Sequence, residues 1–179
     1  VRVGLPVLAT LLLLVVPAAR AGGDVPFLES PQPVVEAMLE LAGVQASDTL
    51  YDLGSGDGRI VISAAARYGC EAVGLELDAK LVDLSERLAE AANVAEHATF
   101  MRADFFHADI SPATVVMMYL SPRVNRRLAP MLLAQLAPGT RVVSHKYAIE
   151  GWRPERRIKV AGRPVYLYTI PEHVPDPLP

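Results

Sequence analysis

Three glycines at alternate positions, in Tyr51-Asp52-Leu53-Gly54-Ser55-Gly56-Asp57-Gly58-Arg59, stand between an apolar strand-like run and an amphipathic helical one. A strand over 49–53 enters this loop and a helix over 60–68 leaves it. Glycine turns sharply with positive φ and lets a ligand approach the main chain. In an open α/β sheet such a loop lies at the carboxyl end of a strand, where ligands bind. The rest of the chain repeats the alternation. Strands are expected over 72–77, 98–103, 114–119 and 140–145. Helices are expected over 79–92, with Leu81, Leu84, Leu88 and Ala91 on one face, and over 125–136. Ahead of the loop, a helix over 30–42 has Ser30 as its N-cap and Gly43 as its stop. Apolar strands separated by amphipathic helices predict a parallel sheet covered on both faces. The last two strands, 158–160 and 165–170, have no helix between them and predict an antiparallel hairpin at one edge.

The loop chemistry narrows the ligand. A phosphate-binding P-loop ends in Gly-Lys-Ser/Thr, which is absent, and a dinucleotide site has the spacing GxGxxG, whereas this chain has GxGxG. Asp52 and Asp57 would repel a pyrophosphate and suit a ligand with positive charge. Glu76, 18 residues after Gly58, ends the second strand, where a carboxylate accepts hydrogen bonds from ribose hydroxyls. Asp104 follows the third strand and can accept an adenine amine, with Phe105 against the ring. One of Phe105 and Phe106 is expected to be plain core filling.

Composition sets outer limits. The chain of 179 residues suits one domain, and its net charge of −3 argues against a general nucleic-acid binder. A lone cysteine, Cys70, excludes an internal disulfide and a cysteine-built zinc site. The charge is uneven: 24–120 carries 16 acidic and 5 basic residues, whereas 121–163 carries 10 basic and 2 acidic. The uncharged run 3–19, followed by Ala19-Arg20-Ala21, reads as a signal peptide or membrane anchor over 1–21. Export or membrane association is therefore expected, with a cytoplasm-facing anchor as the alternative. The proline-rich end, 171–179, is expected to be a disordered tail.

Residues 24–149 resemble a class I S-adenosylmethionine-dependent methyltransferase. More narrowly, they are similar to the small protein-lysine methyltransferases of bacteria, archaea and mitochondria, and to the core of the telomeric-silencing-disruptor type of histone lysine methyltransferase. Three segments carry the match: Val25-Pro-Phe-Leu-Glu-Ser-Pro-Gln32, the loop YDLGSGDGRIVI, and Tyr119-Leu-Ser-Pro-Arg-Val-Asn125 with Pro138-Gly-Thr-Arg-Val-Val-Ser-His145. The resemblance implies a Rossmann-like, doubly wound, mostly parallel seven-stranded α/β sheet forming one methyltransferase domain over 24–170. It implies S-adenosyl-L-methionine as cofactor, held by Glu29, Ser30, Asp52, Gly54, Ser55, Gly56, Asp57, Gly58, Glu76, Asp104 and Phe105. The acceptor it implies is a lysine of a protein substrate; no metal or specific nucleic acid is expected, and the chain is expected to be a monomer. The chain departs from the family at Met117 and Met118 in the fourth strand and at Lys146-Tyr147 after the fifth, and both departures bear on the substrate.

Tyr119, ending the fourth strand, is the candidate catalytic residue, lining the acceptor pocket. His145 is either near the target or a satisfied rim histidine, Trp152 either a substrate platform or a packing plug, and Cys70 a buried bystander. Two further readings stay open: a small-molecule methyltransferase, and a cofactor-binding protein with the fold but no turnover.

Overall fold

The computed structural model describes residues 28–173. Seven strands form one sheet: β1 (Thr49–Leu53), β2 (Glu71–Glu76), β3 (Ala98–Arg102), β4 (Val115–Met118), β5 (Arg141–His145), β6 (Arg156–Val160) and β7 (Arg163–Thr169). Their spatial order is β3-β2-β1-β4-β5-β7-β6. The first five are mutually parallel, and β7 runs antiparallel to both β5 and β6. The expected parallel sheet with an antiparallel edge hairpin is what forms. The hairpin turns at Ala161 and Gly162, both at positive φ, so the turn is two residues long and Arg163 already pairs with Val160.

Among the described residues, four helices cover the sheet: α1 (Gln32–Ala42), α2 (Arg59–Tyr68), α3 (Ala79–Ala91) and α4 (Pro122–Gln135). All four residues of β4 are buried, as a central parallel strand covered on both faces requires. Met117 packs in the core under α1 and α2, and Met118 in the core under α4. The two methionines therefore fill the two faces of the sheet and take no part in the site. Cys70 is buried in the first of these cores.

Three local expectations are corrected. Ser30 does not cap α1: Pro31 holds the N-cap position without a side-chain bond, and Ser30 turns inward to His145. The stop at Gly43 holds, with φ of 61° and hydrogen bonds from Gly43 N to Glu40 O and from Val44 N to Leu39 O. This pairing satisfies two carbonyls at the helix end. The buried face of α3 is Val82, Ser85 and Ala89, whereas Leu88 is 41% exposed. Small residues face inward there because α3 lies close to the glycine loop. The Ser85 hydroxyl donates to Gly56 O, 3.1 Å away, and to Leu81 O, 2.7 Å away. Finally, α4 starts at Pro122, three residues earlier than expected, behind a Ser121 N-cap.

The expected export or membrane attachment is also corrected: no helix among the described residues is long and apolar enough to cross a membrane. The run 1–21 that prompted it, and 174–179 of the expected tail, lie outside the described residues.

Candidate active site

A cleft of about 600 Å³ opens at the carboxyl ends of β1 to β4, a size that fits a small-molecule ligand. Its floor is the glycine loop between β1 and α2. Gly54, Gly56 and Gly58 all have positive φ, between 58° and 79°. A Cβ on Gly58 would lie 2.6 Å from the Phe100 ring and 2.9 Å from Ser85 Cβ. At this position glycine is demanded by both backbone and packing. Every expected cofactor residue except Gly58 lines the cleft: Glu29, Ser30, Asp52, Gly54, Ser55, Gly56, Asp57, Glu76, Asp104 and Phe105. Gly58 sits behind them as the N-cap of α2. Tyr119 lines the same cleft.

The acidic groups differ in state. Glu76 accepts from Gly56 N at 2.9 Å on one oxygen and from Leu77 N and Asp78 N at 2.7 and 3.0 Å on the other. The carboxylate is thus pinned while the first oxygen keeps a lone pair for a ligand hydroxyl. Asp104 accepts from Phe106 N at 3.0 Å. Asp52 is 2% exposed, and burial, with Glu76 and Asp57 nearby, pushes its carboxyl up to about 8. It is therefore mostly protonated at neutral pH. Asp57 is paired with Arg59, whose Nε donates to Oδ1 at 2.9 Å. The repulsion expected of Asp52 and Asp57 toward an anion is accordingly reduced: one carboxylate is proton-neutralised and the other is cation-paired.

Arg59 is a residue that sequence reasoning missed. Besides Asp57 it binds Glu29 Oε2 at 2.9 Å and donates to Ser30 O at 3.0 Å. One guanidinium so fastens the segment before α1 across the glycine loop. Its place directly after Gly58, two residues beyond Asp57, was the available signal. Leu77, Leu81, Phe106 and Arg127 also line the cleft, and the Arg127 guanidinium lies 4.1 Å from the Phe106 ring centre. Phe105 and Phe106 are in ring contact, 4.9 Å apart, and both face the cleft, so neither is plain core filling.

At the β4 and β5 ends, the Tyr119 ring packs on His145 at 4.0 Å and stacks with Tyr147 at 6.4 Å. His145 is fully buried, not at the rim. Its Nδ1 is hydrogen-bonded to Ser30 Oγ at 2.8 Å, while Nε2 has no partner among the described residues. Burial, with Arg163 and Lys146 adding positive charge, drives its imidazole down to about 4, so it is neutral. Trp152 packs on Tyr168 at 5.2 Å, the packing role anticipated as one alternative.

Comparison with known proteins agrees with this geometry. The profile of the ANTKMT methyltransferase domain matches residues 52–156. The chain is 45% identical to a protein-lysine N-methyltransferase of Saccharolobus islandicus (strain REY15A), covering 83% of this chain and 96% of that protein. It is 31% identical to the adenine nucleotide translocase lysine N-methyltransferase of Mus musculus, covering 82% of this chain and 64% of the mouse protein. Among solved structures, it is similar to an RNA methyltransferase from Salinibacter ruber in complex with S-adenosyl-L-homocysteine. That match has a TM-score of 0.83 and 51% identity, and covers 85% of this chain and 99% of the other.

Proposed function

The chain belongs to the ANTKMT methyltransferase-domain family, and from that membership we propose that it transfers a methyl group from S-adenosylmethionine to the side-chain amine of a protein lysine. The observation that carries this reading is the near-full-length likeness to the Saccharolobus protein-lysine enzyme. On this reading the catalytic unit is the expected domain, 24–170, acting as a monomer.

The residues present fit the cofactor. Glu76, pinned by backbone N–H groups, lines the cleft beside the glycine loop, and Leu77, Phe105 and Phe106 offer apolar walls for a purine. When bound, S-adenosylmethionine supplies an electrophilic methyl group on a sulfonium. Glu76 would hold ribose hydroxyls and Asp104 the adenine amine. The glycine loop would bring main-chain atoms against the methionine portion, and Arg59 would keep Glu29 and Ser30 closed over it. Tyr119 would line the acceptor's path. Displacement at a methyl group is mainly a problem of alignment, so this chain's contribution is to hold donor and acceptor in line and exclude water. The acceptor amine must be unprotonated, and partial desolvation within the cleft disfavours its charged form.

A second reading, methyl transfer to RNA, is favoured by the Salinibacter structure and by the basic stretch 121–163. One experiment separates the two. The protein is incubated with methyl-labelled S-adenosylmethionine and cell extract, with Glu76→Ala as control. Acid hydrolysis and nuclease digestion then locate the label. Glu76-dependent methyllysine supports the lysine reading. Nuclease-released label replaces it with the RNA reading, and label in small molecules alone rejects both. Cofactor binding without any label points to the fold kept without turnover.

A further inference from the structure

Lys146 stands in a backbone conformation that lysine seldom adopts. Its φ is +68°, and Tyr147 N donates to His145 O across it at 2.8 Å. An i-to-i+2 bond around a residue of positive φ is the rare, strained hand of the γ-turn. Strain of this kind persists only where the surroundings over-determine it, and here they do. Lys146 N donates to Pro164 O at 2.7 Å. The Tyr147 carbonyl accepts from Ser144 Oγ at 2.6 Å and from buried Asn125 Nδ2 at 3.1 Å. The turn directs the Lys146 side chain to the stacked tyrosines. Its ammonium lies 5.0 Å from the Tyr147 ring centre, and the neighbouring Tyr147 and Tyr119 side chains favour its charged form. Tyr119 also lines the cleft. A primary ammonium of this chain thus sits at an aromatic pair bordering the site where, on the proposed function, a lysine amine must arrive.

We propose that Lys146 is a built-in competitor for the acceptor: its side chain fills the Tyr119–Tyr147 site that a substrate lysine enters, and withdraws as the substrate docks. The inference rests on the lysine reading and adds Tyr147 as a residue that selects a primary amine. The chemistry is that of an ammonium against aromatic faces, which is modest at exposed sites. The competitor therefore weakens substrate binding without abolishing it, since apparent affinity falls by the fraction of molecules whose site is filled.

The test uses n-butylammonium as the probe, titrated into the protein with ring-labelled tyrosines and followed by NMR. Lys146→Met should bind it roughly fivefold more tightly than the wild type. Lys146→Arg, which keeps a cation, should stay near the wild type. Lys146→Asn, which tolerates positive φ, should repeat the gain and guard against a folding defect in the first variant. With a lysine peptide as acceptor, Lys146→Met should lower KM by a similar factor without lowering kcat. Equal butylammonium affinity in the wild type and both uncharged variants overturns the proposal. So does a fall in kcat at unchanged KM, which would make Lys146 a positioning residue. Failure of wild-type protein to form methyllysine on any protein would sink the lysine reading by itself, and the ammonium titration would still decide whether Lys146 competes for the tyrosine site.

Discussion

Three glycines between β1 and β3 separate two costs that usually arrive together. Gly69 has φ of +65° with nothing within 4 Å of an added Cβ, so Gly69→Ala bears a backbone cost alone. Gly74 has ordinary φ, but its Cβ would lie 2.6 Å from Ser55 Oγ and 2.7 Å from the Phe100 ring, so Gly74→Ala bears a packing cost alone. Gly58 has both, with φ of +78° and contacts of 2.6 and 2.9 Å to Phe100 and Ser85. A left-handed non-glycine residue costs about 1–2 kcal/mol, and overpacking a core about 1–3 kcal/mol. Gly58→Ala should therefore lose roughly 2–5 kcal/mol, against about 1–2 kcal/mol for Gly69→Ala. In a domain of this size each kcal/mol shifts the midpoint by about 2–4 °C. Thermal unfolding followed by circular dichroism should rank the losses Gly58 above Gly69, with Gly74 near the difference between them. The Gly58→Ala, Gly74→Ala double variant should lose less than the sum, because one movement of Phe100 relieves both clashes. Equal losses at Gly58 and Gly69 would refute the packing argument, and with it the view that Phe100 and Ser85 fix the height of the loop.

Three other outcomes are expected. Arg59→Met should weaken S-adenosylmethionine binding about tenfold by calorimetry, because charge-assisted bonds to Asp57 and Glu29 are lost together and each is worth on the order of 1 kcal/mol when partly exposed; unchanged affinity would remove Arg59 from the site. Ser30→Ala should destabilise the fold by about 1–3 kcal/mol in urea, since buried His145 loses its hydrogen-bond partner. Asp52 binds a proton in the folded chain at pH values where the unfolded chain, with its carboxyl at 3.8, has lost it, so stability falls as pH rises from about 4 to about 8. His145 works the other way, adding stability as pH rises from about 4 to 6.5, which leaves the Asp52 slope uncovered above 6.5. Between pH 6.5 and 8 the wild type should lose about 2 kcal/mol that Asp52→Asn keeps, and parallel urea midpoints for the two proteins would contradict the raised Asp52 carboxyl.

The fold was legible because its signals are local and periodic. Apolar runs marked the strands, the glycine loop marked the sheet's ligand-binding end, and the missing helix before β7 marked the antiparallel edge. The face of α3 was misjudged because leucine spacing was followed where close approach to the loop selects Ser85 and Ala89. Ser30 looked like a cap because its tertiary partner, His145, is 115 residues away, and no local pattern reports such a pairing.

The site's residues could be read, but its charge could not. In sequence, Asp52 and Asp57 count equally with Glu76 as negative groups. In the folded chain Asp52 keeps its proton through burial, Asp57 shares Arg59 with Glu29, and Glu76 is held by three backbone N–H groups. Formal charge is additive along a chain, whereas the field at a ligand depends on which carboxylates remain ionised and unpaired. The same distinction governs the acceptor side. Lys146 and Arg163 belong to the basic stretch, which by itself suggests attraction of an anion. Yet both press on neutral, buried His145, and the Lys146 ammonium is already committed to two tyrosines. Arg163 stays when Lys146 withdraws for the substrate, and the positive charge left there disfavours a charged amine and so favours the unprotonated form that methyl transfer requires. A basic rim and a lysine acceptor are therefore compatible, and the sign of the stretch 121–163 does not by itself choose RNA over protein.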